Sequence, residues 1–592
     1  MSAGQPLDDE FRSGELLDDE ILDEEVMTDR VSPERVLTEH GADFPAVDRA
    51  GLDDRRGLDD RAGLDDRRNL TEFLRSRFGF PGFRPGQEEL VRAVLEGRDA
   101  LGVLPTGGGK TLCFQVPALL LPGTILVVSP LISLMEEQVA RAREVGCRAA
   151  LLNSAQGRAE SEEVRRAAVE GRLDLLFLAP ERFFISSFRE LLSAVPVSLL
   201  AVDEAHCISE WGHDFRPEYA TLGRVRAELE VPVMALTATA TPRVRAEITA
   251  SLGLTNPVRV VLSFDRPNLG WQVVPAGRHV GRIRTLHAFL RSREDGAAII
   301  YASTRRSVEA VRRDLSRFGH DVRAYHAGLP SDIRSRIQDA FLADPRPVIV
   351  ATNAFGMGID KPDVRMVLHY QLPGSLEAYY QEAGRGGRDG EPARCVALFH
   401  KRDFRIHRRF LSTTHPPPRV LRRVHRLLRR LVGPGSKGEV LLEDVADVAD
   451  VADAAGREAG LREGVAALRA LERAGAVRLY RCPEPGEAAD PGTVESGTGT
   501  VESGTGTDGS GAADGIHDTA LLGLHARPLD TSHGDELRKR GLARIRSVEE
   551  FATSRSCRRK RLLEYFGETD APERCDRCDR CTPSLFPTPG LR

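Results

Sequence analysis

A repeated rhythm constrains this chain more than any other feature. Between Leu70 and Phe264, short apolar runs at Ala100–Leu104, Ile125–Ser129, Leu175–Ala179, Ser198–Val202 and Val233–Thr237 alternate with amphipathic stretches of helix length. Runs that are apolar throughout belong to strands covered on both faces, and crossovers of that length carry a helix back to the next parallel strand. The rhythm resumes at Trp271 and continues to about Leu411, with candidate strands at Ala297–Tyr301, Val322–Tyr325, Pro347–Ala351, Met366–Tyr370 and Cys395–Phe399. The predicted class is α/β: two tandem parallel-sheet domains, 70–264 and 265–411. Open sheets of this kind bind ligands beyond the carboxyl ends of their strands, so the residues after each run are where chemistry is expected.

Of 83 Lys and Arg, only six are Lys. One of them closes Pro105-Thr106-Gly107-Gly108-Gly109-Lys110-Thr111, directly after the first apolar run. Glycines let backbone N–H groups close around phosphate, Lys110 supplies a point charge for the β- and γ-phosphates, and the Thr111 hydroxyl suits Mg²⁺. The run departs from the full phosphate-loop pattern, with Leu104 where the first Gly would stand, and a plain Gly-rich turn is the alternative for the run alone. Asp203-Glu204-Ala205-His206 ends the fourth run. In ATPase chemistry Asp203 would hold the metal and Glu204 would orient or deprotonate water; an acidic helix start is the bland reading. In the second domain, Gln381-x-x-Gly384-Arg385-x-Gly387-Arg388 offers two arginines able to reach a neighbouring triphosphate. Trp211, Phe215 and Arg216 form an aromatic loop beside the carboxylates, suited to base stacking or, alternatively, to anchoring the loop in the core. Cys557 and Cys575-x₂-Cys578-x₂-Cys581 supply four thiolates for a closed structural Zn²⁺ site, with the first ligand on a predicted helix Val548–Phe566. Disulfides are the alternative, the weaker one in a reducing compartment. Arg555, Arg558, Arg559, Lys560 and Arg561 surround the first Cys and make this module a candidate phosphate-facing surface.

The net charge of −5 misleads about partners, because the first fifty residues carry 15 Asp and Glu against 4 Arg and the remainder is basic. Residues 1–69 read as a disordered acidic tail ending in repeats of Gly-Leu-Asp-Asp-Arg at Gly51, Gly57 and Gly63, a linker or a partner-binding motif. After Pro416-Pro417-Pro418, the segment 412–482 holds a basic helix at Arg419–Leu431, further helices at Val440–Ala455 and Arg462–Ala474, and a strand at Val477–Tyr480, a winged-helix-like pattern. A Gly/Ser/Thr-rich linker occupies 483–534 and a zinc module 535–592. Apolar stretches are broken by Pro and Gly, the start has no secretory pattern, and most cysteines are scattered singly; no membrane contact and a cytoplasmic, nucleoid-associated location are the expectations.

Taken together these motifs resemble the RecQ family of DNA helicases, in helicase superfamily 2. Phe83–Glu89, Thr106–Thr111, Ser129–Ser133, Asp203–His206, the Trp211/Phe215 loop, Leu236–Ala240, Tyr301–Thr304, Tyr325–Gly328, Ala351–Asp360, Gln381–Arg388 and the Cys₄ cluster carry the resemblance. It implies two RecA-like domains, with ATP, Mg²⁺ and Zn²⁺ as cofactors. It implies that Arg84 and Gln87 read the nucleotide base, that Phe80 stacks on it, and that Asp360 lies at the nucleotide. His206, Trp211, Phe215, Arg216, Thr237, Thr239 and Thr352 would then couple DNA contact to hydrolysis. The implied activity is 3′→5′ translocation on single-stranded DNA and unwinding of forked or branched duplexes in repair and recombination, with the acidic tail free to meet other repair proteins. An RNA-directed helicase, a translocase that does not unwind, and an inactive DNA-binding scaffold are the rival readings. One departure stands out: a long segment separates Leu411 from Cys557, where the family's common bacterial layout has the zinc module directly after the second domain.

Overall fold

The computed structural model describes residues 67–105, 107–130, 132–153, 156–210, 215–356, 361–441, 444–445, 456–480, 519–525 and 528–587. The tail with its repeats, Thr106, Trp211, Asp360, most of the predicted helix Val440–Ala455 and most of the Gly/Ser/Thr-rich linker lie outside these residues. All three sheets lie within Leu70–Arg592.

The first sheet comprises β1 (Ala100–Val103), β2 (Thr124–Val128), β3 (Ala149–Leu152), β4 (Leu175–Leu178), β5 (Val197–Val202), β6 (Val233–Thr237) and β7 (Val258–Val261) in the order β3-β4-β2-β5-β6-β1-β7. All its pairings are parallel. The strands β1, β2, β4 and β6 are buried along their whole length, as helices on both faces require. The sheet order places β5, β6 and β1 side by side, so the segments that follow them meet at one edge.

The second sheet comprises β8 (Leu269–Pro275), β9 (Ala297–Tyr301), β10 (Arg323–Tyr325), β11 (Val348–Ala351), β12 (Val364–His369) and β13 (Ala393–Phe399), all parallel, in the order β10-β11-β9-β12-β13-β8. Two parallel sheets in tandem are the predicted α/β architecture. The edge strands β3, β7 and β8 were not read from the sequence.

A third, antiparallel sheet joins β14 (Lys437–Leu441), β15 (Val477–Tyr480) and β16 (Thr519–Leu524) in the order β14-β16-β15. It packs with the helices Pro418–Leu431 and Gly456–Arg473 around one apolar cluster that includes Val424, Leu428, Leu468, Leu471 and Leu522. Two expectations are corrected here. Val440 and Leu441 lie in a strand, not a helix, because Val440 is buried against the cluster while its backbone pairs with β16. The apolar Thr-Ala-Leu-Leu-Gly-Leu run, inside the span read as linker, is the central strand of this sheet.

The predicted helix Val548–Phe566 is likewise two helices, Ser532–Thr553 and Arg558–Tyr565. Ser554, Arg555, Ser556 and Cys557 form the break, and Cys557 is the cap residue of the second helix with extended backbone (ψ 128°). The Ser554 hydroxyl accepts from the Ser556 N–H at 3.0 Å, a local bond that competes with helix continuation.

Candidate nucleotide site and metal centre

The glycine loop leaves β1 and opens the helix Leu112–Leu120. Gly107 and Gly109 sit at φ +84° and +73°, where a side chain is strained. A Cβ on Gly109 would lie 2.5 Å from Gln87 Nε2, so the close approach also demands glycine. Gln87 is buried and fully engaged: Nε2 donates to the carbonyls of Gly108 (3.1 Å) and Gly109 (2.9 Å), while Oε1 accepts the Arg84 N–H at 2.8 Å. Arg84 Nη1 donates to the Gly107 carbonyl. Both residues assigned to base recognition therefore brace the loop here, and Phe80 nearby in sequence presents an exposed ring, 49% accessible.

The Lys110 ammonium stands 3.6 Å from Glu204 Oε1, which joins the loop after β1 to the carboxylates after β5. Asp203 accepts the Glu204 N–H at 2.9 Å, and its second oxygen lies 3.5 Å from Gln138 Nε2. Burial and the adjacent Glu204 push the Asp203 carboxyl up to about 6, with Lys110 opposing. Glu204 itself adopts φ +45°, unusual for a residue with a side chain, and this turn swings its carboxylate back toward Lys110. His206 Nδ1 lies 3.2 Å from Glu204 Oε2 and 2.9 Å from Thr237 Oγ1; that hydroxyl donates to the Thr239 carbonyl at 3.2 Å. Burial opposes charge on this imidazole, but Cys207 and Glu204 outweigh it and hold His206 above its ordinary range. The result is a continuous polar line from Lys110 through Glu204 and His206 to Thr237 and Thr239, on three adjacent strand ends.

Arg216 donates through Nη1 to the Pro130 carbonyl at 2.8 Å, tying the loop after His206 to the end of β2, and Phe215 beside it is half-buried. Thr352 follows β11; its N–H donates to the Tyr325 carbonyl at 3.1 Å, and its hydroxyl lies 3.4 Å from the Ala354 N–H.

In the second domain, Gln381 lies on the helix Leu376–Ala383, whose first turn is capped by Ser375 Oγ accepting from Ala378 N–H at 3.1 Å. Arg385 is buried, with Nη1 on the carbonyl of Gly356, while Arg388 is half-buried. Their loop is held from below by two residues that no motif suggested. Arg266 donates to the carbonyls of Gly384, Gly386 and Gly387 at 3.2, 3.0 and 3.0 Å, and Asn268 Nδ2 to Gly387 at 2.7 Å. Gly387, at φ +53°, has Asn268 Nδ2 2.4 Å from where its Cβ would be.

Cys557, Cys575, Cys578 and Cys581 place their ligand atoms within 4.8 Å of one another, with Cys557 and Cys578 Sγ 4.0 Å apart. Four thiolates about 2.3 Å from a tetrahedral ion are separated by close to this distance, so the residues fit Zn²⁺. The module docks on the second sheet. Trp271 in β8 bridges Cys578 in parallel, its N–H donating to Arg577 O at 3.0 Å and its carbonyl accepting from Asp579 N–H at 2.9 Å. It also grips the segment between the two parallel sheets: Phe264 stacks on Phe566 with centroids 4.2 Å apart, Ser263 Oγ donates to Glu568 at 2.8 Å, and Arg559 pairs with Asp265. Of the five cations expected to make a phosphate-facing surface around Cys557, three are engaged by local anions, while Arg555 is exposed and Arg561 half-buried. Arg558 is fully buried against Asp579, because burial of a cation demands a local anion, Arg559 pairs with Asp265, and Lys560 pairs with Glu573 at the surface.

A DEAD/DEAH box helicase family model matches residues 84–248, a helicase conserved C-terminal domain model matches 281–390, and a RecQ zinc-binding model matches 524–582. The chain is 45% identical over 332 residues to "ATP-dependent DNA helicase RecQ" of Haemophilus influenzae, covering 56% of this chain and 53% of that protein. It is 44% identical over 336 residues to the protein of the same name in Bacillus subtilis, covering 56% of each. It is 41% identical over 346 residues to "Probable ATP-dependent DNA helicase RecS" of Bacillus subtilis, covering 58% of this chain and 69% of that protein. The chain thus spans about half the length of the first two relatives. Among the described residues no helix is long and apolar enough to cross a membrane.

Proposed function

The chain belongs to the RecQ family of helicases, and from that premise we propose that it is an ATP-dependent DNA helicase that translocates 3′→5′ on single-stranded DNA and separates forked duplexes during repair or recombination. The observation that carries the reading is the polar line from Lys110 through Glu204 and His206 to Thr237 and Thr239. It joins a triphosphate cradle to the segments that would touch DNA.

Bound ATP and Mg²⁺ supply the phosphoryl group and the charge that holds it. The N–H groups of Gly107–Lys110 and the Lys110 ammonium would receive the β- and γ-phosphates, and the Thr111 hydroxyl with the Asp203 carboxylate would receive the metal. Phosphates drawn to Lys110 compete with Glu204 for it, freeing that carboxylate to accept a proton from water. Gln87, now occupied with the loop carbonyls, turns to the base when the loop shifts, and its amide can donate and accept at one base edge. Phe80 would cover the base, and the family resemblance assigns Thr106 and Asp360 to nucleotide contact. Arg385 and Arg388, with Gln381, complete the site when the domains close, and an arginine supplied this way is worth roughly 10³–10⁵ in rate. Trp211, Phe215 and Thr352 contact the strand, and Arg216 anchors the loop between them and His206. The protein works in the cytoplasm on nucleoid DNA.

Steady-state hydrolysis measured with oligo-dT and with oligo-U tests the substrate class. Strong stimulation by the DNA alone is expected; equal stimulation by RNA, or none by either, would sink the proposal.

A further inference from the structure

The family-model matches stop at residue 390 and resume at 524, and the small antiparallel-sheet unit lies between. Its first helix, Pro418–Leu431, reads PRVLRRVHRLLRRL: six arginines and no carboxylate. Val420, Leu421, Val424 and Leu428 are buried in the unit's core, which turns Arg419, Arg422, Arg423, Arg426, Arg429 and Arg430 outward, all exposed. At 100° per residue, Arg419, Arg422, Arg423, Arg426 and Arg430 share one stripe about 16 Å long. Four of them, with His425 and Leu529, line an open cleft of ≈ 400 Å³.

Near Arg419 the surroundings add positive charge. Burial and then Arg473, Arg544, His533 and Arg538 push His415, just before the helix, down to about 4. Arg538 is itself held below its usual range, by burial first and by Arg419, with Asp535 opposing. Cations kept this close repel one another, and a rigid polyanion laid along them would relieve the repulsion. The guanidinium fork matches phosphate oxygens in pairs. The helix has no Phe, Tyr or Trp to stack on bases, its one imidazole, His425, is buried, and it has no Asn or Gln to read base edges, so the surface suits a phosphate backbone better than splayed single-strand bases. Duplex DNA offers one charge per about 1.7 Å of axis, enough to occupy every arginine of the stripe.

We propose that the arginine face of Pro418–Leu431 is a sequence-independent binding site for the phosphate backbone of duplex DNA. The proposal rests on the DNA-helicase reading but concerns a surface separate from the ATPase site. The full chain is titrated into a fluorescent blunt duplex and into oligo-dT over a series of NaCl concentrations, as wild type and as R419Q/R422Q/R423Q/R426Q. The log–log salt slope for the duplex should become shallower by about 3 to 4, with at least about a tenfold loss of affinity near physiological salt. Oligo-dT-stimulated hydrolysis should stay within about twofold of wild type, and the corresponding Arg→Lys variant should restore the slope. An unchanged duplex slope in the Gln variant overturns the proposal, as does a slope change equal for duplex and oligo-dT. Should the quadruple variant not fold, R422Q/R426Q must show about half the slope change. Absence of DNA-stimulated hydrolysis in the wild type would instead defeat the helicase reading, whatever the duplex slope.

Discussion

Arg558 carries the attachment of the zinc module, and its replacement by Met gives a quantitative test. The side chain is 0% exposed; Nε and Nη2 donate to Asp579 at 3.0 and 3.3 Å, and Nη1 to the carbonyls of Phe551 and Ala552. Met preserves most of the length but strands the Asp579 carboxylate and both carbonyls. Breaking a buried pair from one side costs about 3–5 kcal/mol. Asp579 is 14% exposed and keeps the Val273 N–H at 3.1 Å, which places the cost near the lower end, about 3 kcal/mol or two powers of ten in the opening equilibrium. Opening of this kind is local, because Asp579 joins the cysteine loop to β8 and not to the first sheet. Zinc transfer to a chromophoric chelator should therefore accelerate about 100-fold, with faster hydrogen exchange at Trp271–Val273 and little change in the first domain. The double variant R558M/D579L should recover part of the loss, since the stranded charge is gone. Transfer within about twofold of wild type, or a double variant no better than the single one, would refute the reasoning.

Gly109→Ala forces a side chain into left-handed backbone and toward Gln87; about 1–2 kcal/mol of strain falls on the loop, and nucleotide affinity measured by fluorescent ATP-analogue binding should drop about tenfold or more while overall melting changes little. Arg385→Lys should keep nucleotide binding and lose at least about 10³ in single-turnover hydrolysis, because an ammonium cannot reproduce the two-pronged contact. His415 has a folded value of about 4, below its ordinary 6.5, so its contribution to stability is complete above pH 6.5 and is lost as pH falls toward 4. Thermal melts between pH 7.5 and 5 should accordingly show a steeper decline for wild type than for His415→Asn; parallel declines would contradict this assignment.

What was legible in the sequence was what local chemistry determines. Central strands such as β1, β2 and β6 are covered on both faces and so read as unbroken apolar runs. β7 has only Val260 buried, and β3 is Ala-Ala-Leu-Leu, equally at home in a helix, so neither announced itself. Lys110 stood out because it ends the glycine loop that follows β1, and Asp203 and Glu204 because they directly follow β5. Glu568 did not, because its hydrogen bond to the Phe264 N–H spans 304 residues and no local pattern encodes it. Arg266 and Asn268 hold glycine carbonyls more than a hundred residues away, and Gln138 reaches Asp203 from another helix. Cysteine spacing revealed the metal ligands but not the break at Ser554, which no Gly or Pro marks. The basic character of Arg419–Leu431 was plain in the sequence; that its arginines share a cleft required the third sheet, whose middle strand was hidden in a low-complexity stretch.

The account's central claim is that hydrolysis at Lys110 is coupled to movement on DNA. Strand separation of a 3′-tailed duplex by wild type and Lys110→Ala, with and without ATP and Mg²⁺, tests it most directly. Wild type should separate the strands only with both, and Lys110→Ala should bind the tail with near-normal affinity and separate nothing. Separation by the variant, or by wild type without ATP, would contradict the claim.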